Sequence, residues 1–250
     1  DDLPAMDDDD YRRGKLTNHM VYGDAVAILA GDALLTLAFT VILRQKDVPA
    51  ETLLRVVDEI SRAAGAEGMV GGQGLDLRAE GVRISMEELR RVHMGKTGAL
   101  FHAALRSGAI LAGATEQQLA ALTSYADHFG LAFQITDDLL DFRRSSEDIG
   151  KPAGHDLAQG YVTLPVIRAL SVLGTREREE LAALITNPKK TLEEAARALA
   201  LVRSTDGLDY AQEQADAYLA RAKAALPAGL DPRIRETCLM AADFIGRREF

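Results

Sequence analysis

Gln134-Ile135-Thr136-Asp137-Asp138-Leu139-Leu140-Asp141 is the stretch on which the fold turns. At about 100° per residue, Gln134, Asp137 and Asp141 fall within about 60° of one another on a helix circumference. Leu131, Ile135 and Leu139 line a separate face suited to packing. Like charges stacked at i and i+4 destabilise an isolated helix by a few tenths of a kcal/mol. Such a face beside an apolar stripe is therefore either solvated or compensated by a cation. The helical period extends back to Thr115, which forms a capping-box pattern with Gln118, and the helix is expected over 115–142.

Outward from there the period stays helical, and Ala, Leu, Glu and Arg are abundant. Residues 86–112 predict one long helix. Residues 50–65 predict an amphipathic one with Leu53, Leu54, Val57 and Ile60 on its apolar stripe. Residues 22–44, apolar almost all round, predict a long buried helix. Gly150, Pro152, Gly154 and Gly160 mark a loop through 145–160. Helical patterns follow at about 162–171, 176–186, 191–204, 207–225 and 231–248, with breaks at Asn187-Pro188 and Pro227-Ala228-Gly229. No repeat or composition shift interrupts the chain, so residues 1–250 are expected to form one all-α domain.

Hydrophobic residues make up 47% and charged residues 27%, enough for a sizeable core. The net charge of −9 argues against binding nucleic acid through bulk electrostatics. Ala25 to Leu43 is interrupted by Asp32 and two threonines, so no membrane span is expected. A single cysteine, Cys238, excludes an internal disulfide and suits a cytoplasmic setting. No signal peptide is evident. The chain opens inside an acidic motif without an initiator Met, and a segment upstream is expected.

The opening motif is Asp1-Asp2-Leu3-Pro4-Ala5-Met6-Asp7, followed by Asp8, Asp9 and Asp10 and then Arg12-Arg13. A solvated acidic run is the plain reading of such a segment. The adjoining basic pair points further, and Pro4 allows a turn that brings Asp7 back beside Asp1. Together with Asp137, Asp138 and Asp141, these acids suggest Mg²⁺, which takes oxygen ligands and shares them with phosphates and water. No His/Cys spacing suggests zinc. Candidate phosphate contacts are Lys96 in Gly95-Lys96-Thr97-Gly98, Lys151 in Gly150-Lys151-Pro152, and Arg12 and Arg13. Gly71-Gly72-Gln73-Gly74-Leu75-Asp76 is equally compatible with a site and with close helix packing.

These residues resemble the trans-isoprenyl diphosphate synthases. Asp1-Asp2 through Asp7 with Arg12-Arg13 is similar to the family's first aspartate-rich motif, and Phe133 through Asp141 to its second. Gly71–Leu77 and Lys96-Thr97-Gly98-Ala99-Leu100 match intermediate signatures, and Asn18-His19 and Leu29–Leu35 look most like the bacterial farnesyl diphosphate branch. The resemblance implies an all-α bundle around a deep central cavity and a homodimer. It also implies two to three Mg²⁺ ions, with Asp1, Asp7 and Asp137 as principal ligands and Asp2, Asp138 and Asp141 beside them. Arg12, Lys96 and Lys151 would hold the allylic diphosphate and Arg13 the diphosphate of isopentenyl diphosphate, while Thr97, Gln134 and Asp76 would line the reacting region. The implied reaction is ionisation, condensation and proton loss, giving farnesyl diphosphate. Tyr161 stands where farnesyl synthases tend to carry lysine, which keeps geranylgeranyl or longer products as an alternative. A non-catalytic subunit of a heteromeric synthase, or a class I terpene cyclase, is more distant.

Overall fold

The computed structural model describes residues 2–143 and 154–247. Asp1 and Lys151 lie outside the described residues. By its internal contacts the chain divides into two compact units, Asp1–Asp58 and Glu59–Phe250.

The first unit opens with tight turns. Asp2 O accepts from the backbone N–H of Asp9 at 3.1 Å, and Leu3 O accepts from Met6 and Asp8. Pro4 thus sits in a turn that folds the acidic run back on itself. A two-residue hairpin follows, with β1 (Tyr11–Arg12) antiparallel to β2 (Lys15–Leu16). Its turn residues, Arg13 and Gly14, have φ of 52° and 74°, the left-handed pair that matches strand twist. Thr17 ties the hairpin to the acidic run, its hydroxyl donating to Asp9 O at 2.8 Å. Helix α1 (Asn18–Tyr22) then leads through Gly23 into α2 (Asp24–Leu43).

Helix α2 corrects the expectation drawn from its composition. None of its residues is buried, and Leu29 and Leu34 are each 65% exposed. An all-round apolar helix needs partners on every side, and the described chain does not supply them. By length and composition alone the helix is also long and apolar enough to cross a membrane. Its internal threonines do not interrupt it, because Thr36 and Thr40 donate to the carbonyls of Asp32 and Thr36 one turn back. In α3 (Ala50–Ala64) the buried stripe is Leu53, Val56 and Ala63, and Leu54 is exposed.

The second unit is organised on α7 (Glu116–Arg143). The Thr115–Gln118 capping box expected at its start is present, with Thr115 N donating to Gln118 Oε1 at 2.8 Å and Gln118 N to Thr115 Oγ1 at 3.3 Å. The residues expected to pack, Leu131, Ile135 and Leu139, are all buried. Preceding α7 are α4 (Met69–Ala79), α5 (Met86–His93), a π-helical turn over Met94–Gly98, and α6 (Ala99–Leu111). The single helix expected over 86–112 is therefore broken by a π turn, a feature that often marks a functional site. After α7 come α8 (His155–Gln159), α9 (Leu164–Val172), α10 (Thr175–Thr186), α11 (Leu192–Arg203), α12 (Gly207–Ala225) and α13 (Pro232–Gly246). Part of the segment expected as loop through 145–160 is thus helical, and residues 144–153 lie outside the described residues.

Three hydrophobic clusters run along α7. Leu122, Tyr125, Phe129 and Ala132 pack with Leu219, Leu226 and Ile245. Ile135 and Leu139 pack with Leu89, Leu164, Ala211 and Ala215. Phe142 enters the third cluster with Leu157, Val166, Leu181 and Val202. Alanines at 211 and 215, fully buried, let α12 approach α7 closely. Full burial of each large apolar side chain contributes about 1.5–3 kcal/mol, so α7 is rigidly seated. Its polar side chains inherit that rigidity.

Candidate active site

On α7, Gln134, Asp137 and Asp141 are half-buried while Asp138 is buried. The face expected from helical spacing is therefore real, with Asp138 turned off it. Asp141 accepts from two backbone N–H groups, His155 at 3.1 Å and Asp156 at 3.2 Å. It thereby caps the start of α8, an arrangement a carboxylate favours at a helix N-terminus.

That cap draws Asp156 into the cluster. Burial is the largest cause of a carboxyl pKa well above the usual range, followed by repulsion from Asp141, Asp138 and Asp137, with Lys96 opposing. Asp156 was given no role on sequence grounds. Its signal was present, an acid flanked by glycines at 154 and 160, but only the fold shows that the chain returns there to the end of α7. Asp156, held beside three further carboxylates with one lysine opposing them, marks a site short of positive charge.

Lys96 and Thr97 both lie in the π turn. Lys96 Nζ donates to Asp76 Oδ2 of α4 at 2.7 Å, and the Thr97 hydroxyl donates to Gln134 Oε1 of α7 at 2.9 Å. Backbone contacts hold this turn from two sides. A Cβ on Gly72 would lie 2.0 Å from Lys96 N, and one on Gly130 would lie 3.0 Å from Gly98 Cα. The Gly71–Asp76 stretch therefore serves both readings left open by its sequence. Gly72 permits close backbone approach, and Asp76 pairs with the lysine that the approach positions.

Lys96, Thr97, Asp76, Gln134, Asp137, Asp138 and Asp141 thus lie on three elements of the second unit, α4, the π turn and α7. In the first unit, Arg12 donates to Asp2 Oδ1 at 2.7 Å, Arg13 occupies the hairpin turn, and Asp7 lies in the folded acidic segment. A groove of about 360 Å³ lined by Arg83, Ile84, Ser85, Ile167, Leu170 and Ser171 contains none of the candidate residues.

Among the described residues no three His, Cys, Asp or Glu side chains are arranged to hold a metal ion on their own. Mg²⁺ characteristically takes one or two carboxylates and completes its shell with water and substrate phosphate. The half-buried Asp137 carboxylate, in a cluster with more acids than bases, fits that demand.

The chain matches the polyprenyl synthetase family over residues 1–202, and it belongs to that family. It is 46% identical over 180 residues to a farnesyl diphosphate synthase of Geobacillus stearothermophilus, covering 71% of this chain and 60% of that one. It is 46% identical over 192 residues to a geranylgeranyl diphosphate synthase of Cyanophora paradoxa, covering 76% and 62%. The chain thus spans about three fifths of the length of these relatives. Among solved structures, a geranylgeranyl pyrophosphate synthetase from Pyrococcus horikoshii superimposes with a TM-score of 0.85 at 33% identity, covering 97% of this chain and 73% of that one. A polyprenyl synthase from Caulobacter crescentus, complexed with calcium and isoprenyl diphosphate, gives 0.83 at 32%, covering 96% and 71%. The all-α fold is that of these synthases.

Proposed function

We propose that the intact protein is a Mg²⁺-dependent prenyltransferase that condenses isopentenyl diphosphate with dimethylallyl or geranyl diphosphate to give farnesyl diphosphate. The observation that carries this reading is the carboxylate cluster of α7 and α8 with Lys96 and Thr97 beside it, in a chain 46% identical to a farnesyl diphosphate synthase.

In this reading Asp1, Asp7 and Asp137 would be the principal ligands of two to three ions, with Asp2 and Asp141 supporting them. Bound there, Mg²⁺ would offset the negative charge that grows on the departing diphosphate. Arg12, Lys96 and Lys151 bind and orient the allylic diphosphate, and Arg13 the diphosphate of the second substrate. Asp76 holds the Lys96 ammonium ready until a diphosphate offers it denser charge. The allylic C–O bond ionises, its electron pair leaving with the diphosphate. The isopentenyl double bond attacks the allylic cation, and the adduct loses a proton to the departed diphosphate. The cation requires a dry cavity, since water would quench it. Thr97 and Gln134 offer oxygen lone pairs without a competing nucleophile.

A geranylgeranyl or longer product is the second reading, favoured by Tyr161 and by relatives named as geranylgeranyl synthases. A non-catalytic subunit is disfavoured by the intact carboxylates. Radiolabelled isopentenyl diphosphate, offered with dimethylallyl, geranyl or farnesyl diphosphate and resolved by chromatography, separates the three. Fifteen-carbon product is expected. Twenty carbons or more selects the second reading, and no elongation by folded protein selects the third.

The apolar exposed α2 supports a homodimer in which a second copy covers it, in place of a membrane span. A cytoplasmic setting accords with the single buried cysteine, Cys238.

A further inference from the structure

Asp138 is part of the aspartate motif, yet its surroundings differ from those of Asp137. It is 5% exposed, about 100° around the helix from its neighbour, and the nearby helix residues Ile135 and Leu139 belong to the core. Oδ1 accepts from Gln134 Nε2 at 3.1 Å. Oδ2 lies 3.4 Å from Nε2 of His93, itself 6% exposed, an ion-pair separation without hydrogen-bond alignment. His93 is the last residue of α5 and immediately precedes the π turn that carries Lys96 and Thr97.

The result is a chain of polar groups, Thr97 to Gln134 to Asp138 to His93, running from the reacting region into the core. Its direction is set at the buried end. A carboxylate only accepts, so the Gln134 amide must turn its NH₂ toward Asp138 and its oxygen toward Thr97. Thr97 must then donate to that oxygen, which leaves the lone pairs of the Thr97 hydroxyl facing away from Gln134. Reversal of the amide would reverse the hydroxyl and present a proton where an allylic cation needs electron density.

We propose that Asp138 is a positioning residue and not a metal ligand: braced by His93, it fixes the orientation of Gln134 and Thr97 toward the allylic cation. The proposal rests on the prenyltransferase reading for its catalytic consequence, while its structural half can be tested by binding alone.

The test compares Asp138→Asn, Asp137→Asn, His93→Gln and His93→Leu in the intact protein. The first readout is the shift in melting temperature with MgCl₂ and inorganic diphosphate. Asp138→Asn is expected to keep the wild-type Mg²⁺ midpoint to within about twofold, while Asp137→Asn raises it at least about tenfold, a scale typical of altered metal-site residues. The second readout is steady-state kinetics. Asp138→Asn, whose new amide no longer dictates the Gln134 orientation, is expected to lower kcat about 10–100-fold with little change in KM for the allylic substrate, as small misplacements do. His93→Gln, which keeps a polar N–H beside the buried Asp138 carboxylate, should retain far more activity than His93→Leu. An Mg²⁺ midpoint shifted as much in Asp138→Asn as in Asp137→Asn overturns the proposal, as does unchanged kcat in Asp138→Asn. If Asp138→Asn fails to fold, equal activity of the two His93 variants overturns it, and so does misfolding of both. A wild type that binds Mg²⁺ and diphosphate yet makes no product sinks the prenyltransferase reading instead, and the Mg²⁺ midpoints still decide whether Asp138 is a ligand.

Discussion

Helices α2 and α7 are the two longest in the described chain and both are rich in apolar residues, yet one has no buried residue and the other is the axis of the core. Helix α7 alternates large side chains with alanine and glycine, so α12 and the π turn can close on it at Ala132 and Gly130. Helix α2 presents leucine and valine on all sides and so demands several partners at once. Hydropathy reports that a surface must be covered, while the pattern of small residues reports whether the same chain covers it.

The largest effect expected from breaking this contrast is at the functional face of α7. Asp137→Ala should lower turnover by about 10²–10³-fold or more, the scale of losing one group that stabilises transition-state charge, with little change in thermal stability because Asp137 is half-buried. Parallel kinetics and melting curves check this, and strong unfolding would mean a structural carboxylate. On the packing face, Leu139→Ala should destabilise by about 2–5 kcal/mol, read by denaturant titration. Gly72→Ala tests the backbone contact that seats Lys96. A Cβ there would lie 2.0 Å from Lys96 N, so a loss of about 1–3 kcal/mol from overpacking is expected, together with a raised KM for the allylic diphosphate. On α2, Leu29→Ala should change the stability of an isolated protomer by no more than about 0.5 kcal/mol, whereas Leu34→Lys tests the proposed homodimer and should lower the mass measured by light scattering toward that of a monomer.

Asp156 sharpens the comparison through pH. Its folded-state pKa is raised, so between the ordinary carboxylate range and that raised value the folded protein binds more protons than the unfolded one. Stability without metal should therefore fall as pH rises through this window. Asp156→Asn should flatten the slope in melting temperatures measured without Mg²⁺, and an unaltered slope would assign it to other groups.

Much of α7 was legible in the sequence because its signals are local. The Thr115–Gln118 cap, the Leu131–Leu139 stripe and the Gln134–Asp141 face all follow from the helical period. The π turn was not, because it depends on Gly72 meeting Lys96 across 24 positions of chain. The burial of Asp138 and the recruitment of Asp156 likewise depend on His93 and on the return of the chain at α8. Helix α2 was misread for the complementary reason. Its composition states a need for cover without saying which chain meets it.

The central claim is that carboxylates remote in sequence act together on one metal-bound diphosphate. A double-mutant cycle of Asp7→Ala and Asp137→Ala, read by calorimetric binding of inorganic diphosphate in MgCl₂, tests it most directly. Each substitution alone is expected to weaken binding strongly, and the pair little further, giving a coupling of about 1 kcal/mol or more. Additive losses, or a loss from only one of the two, would contradict a shared site.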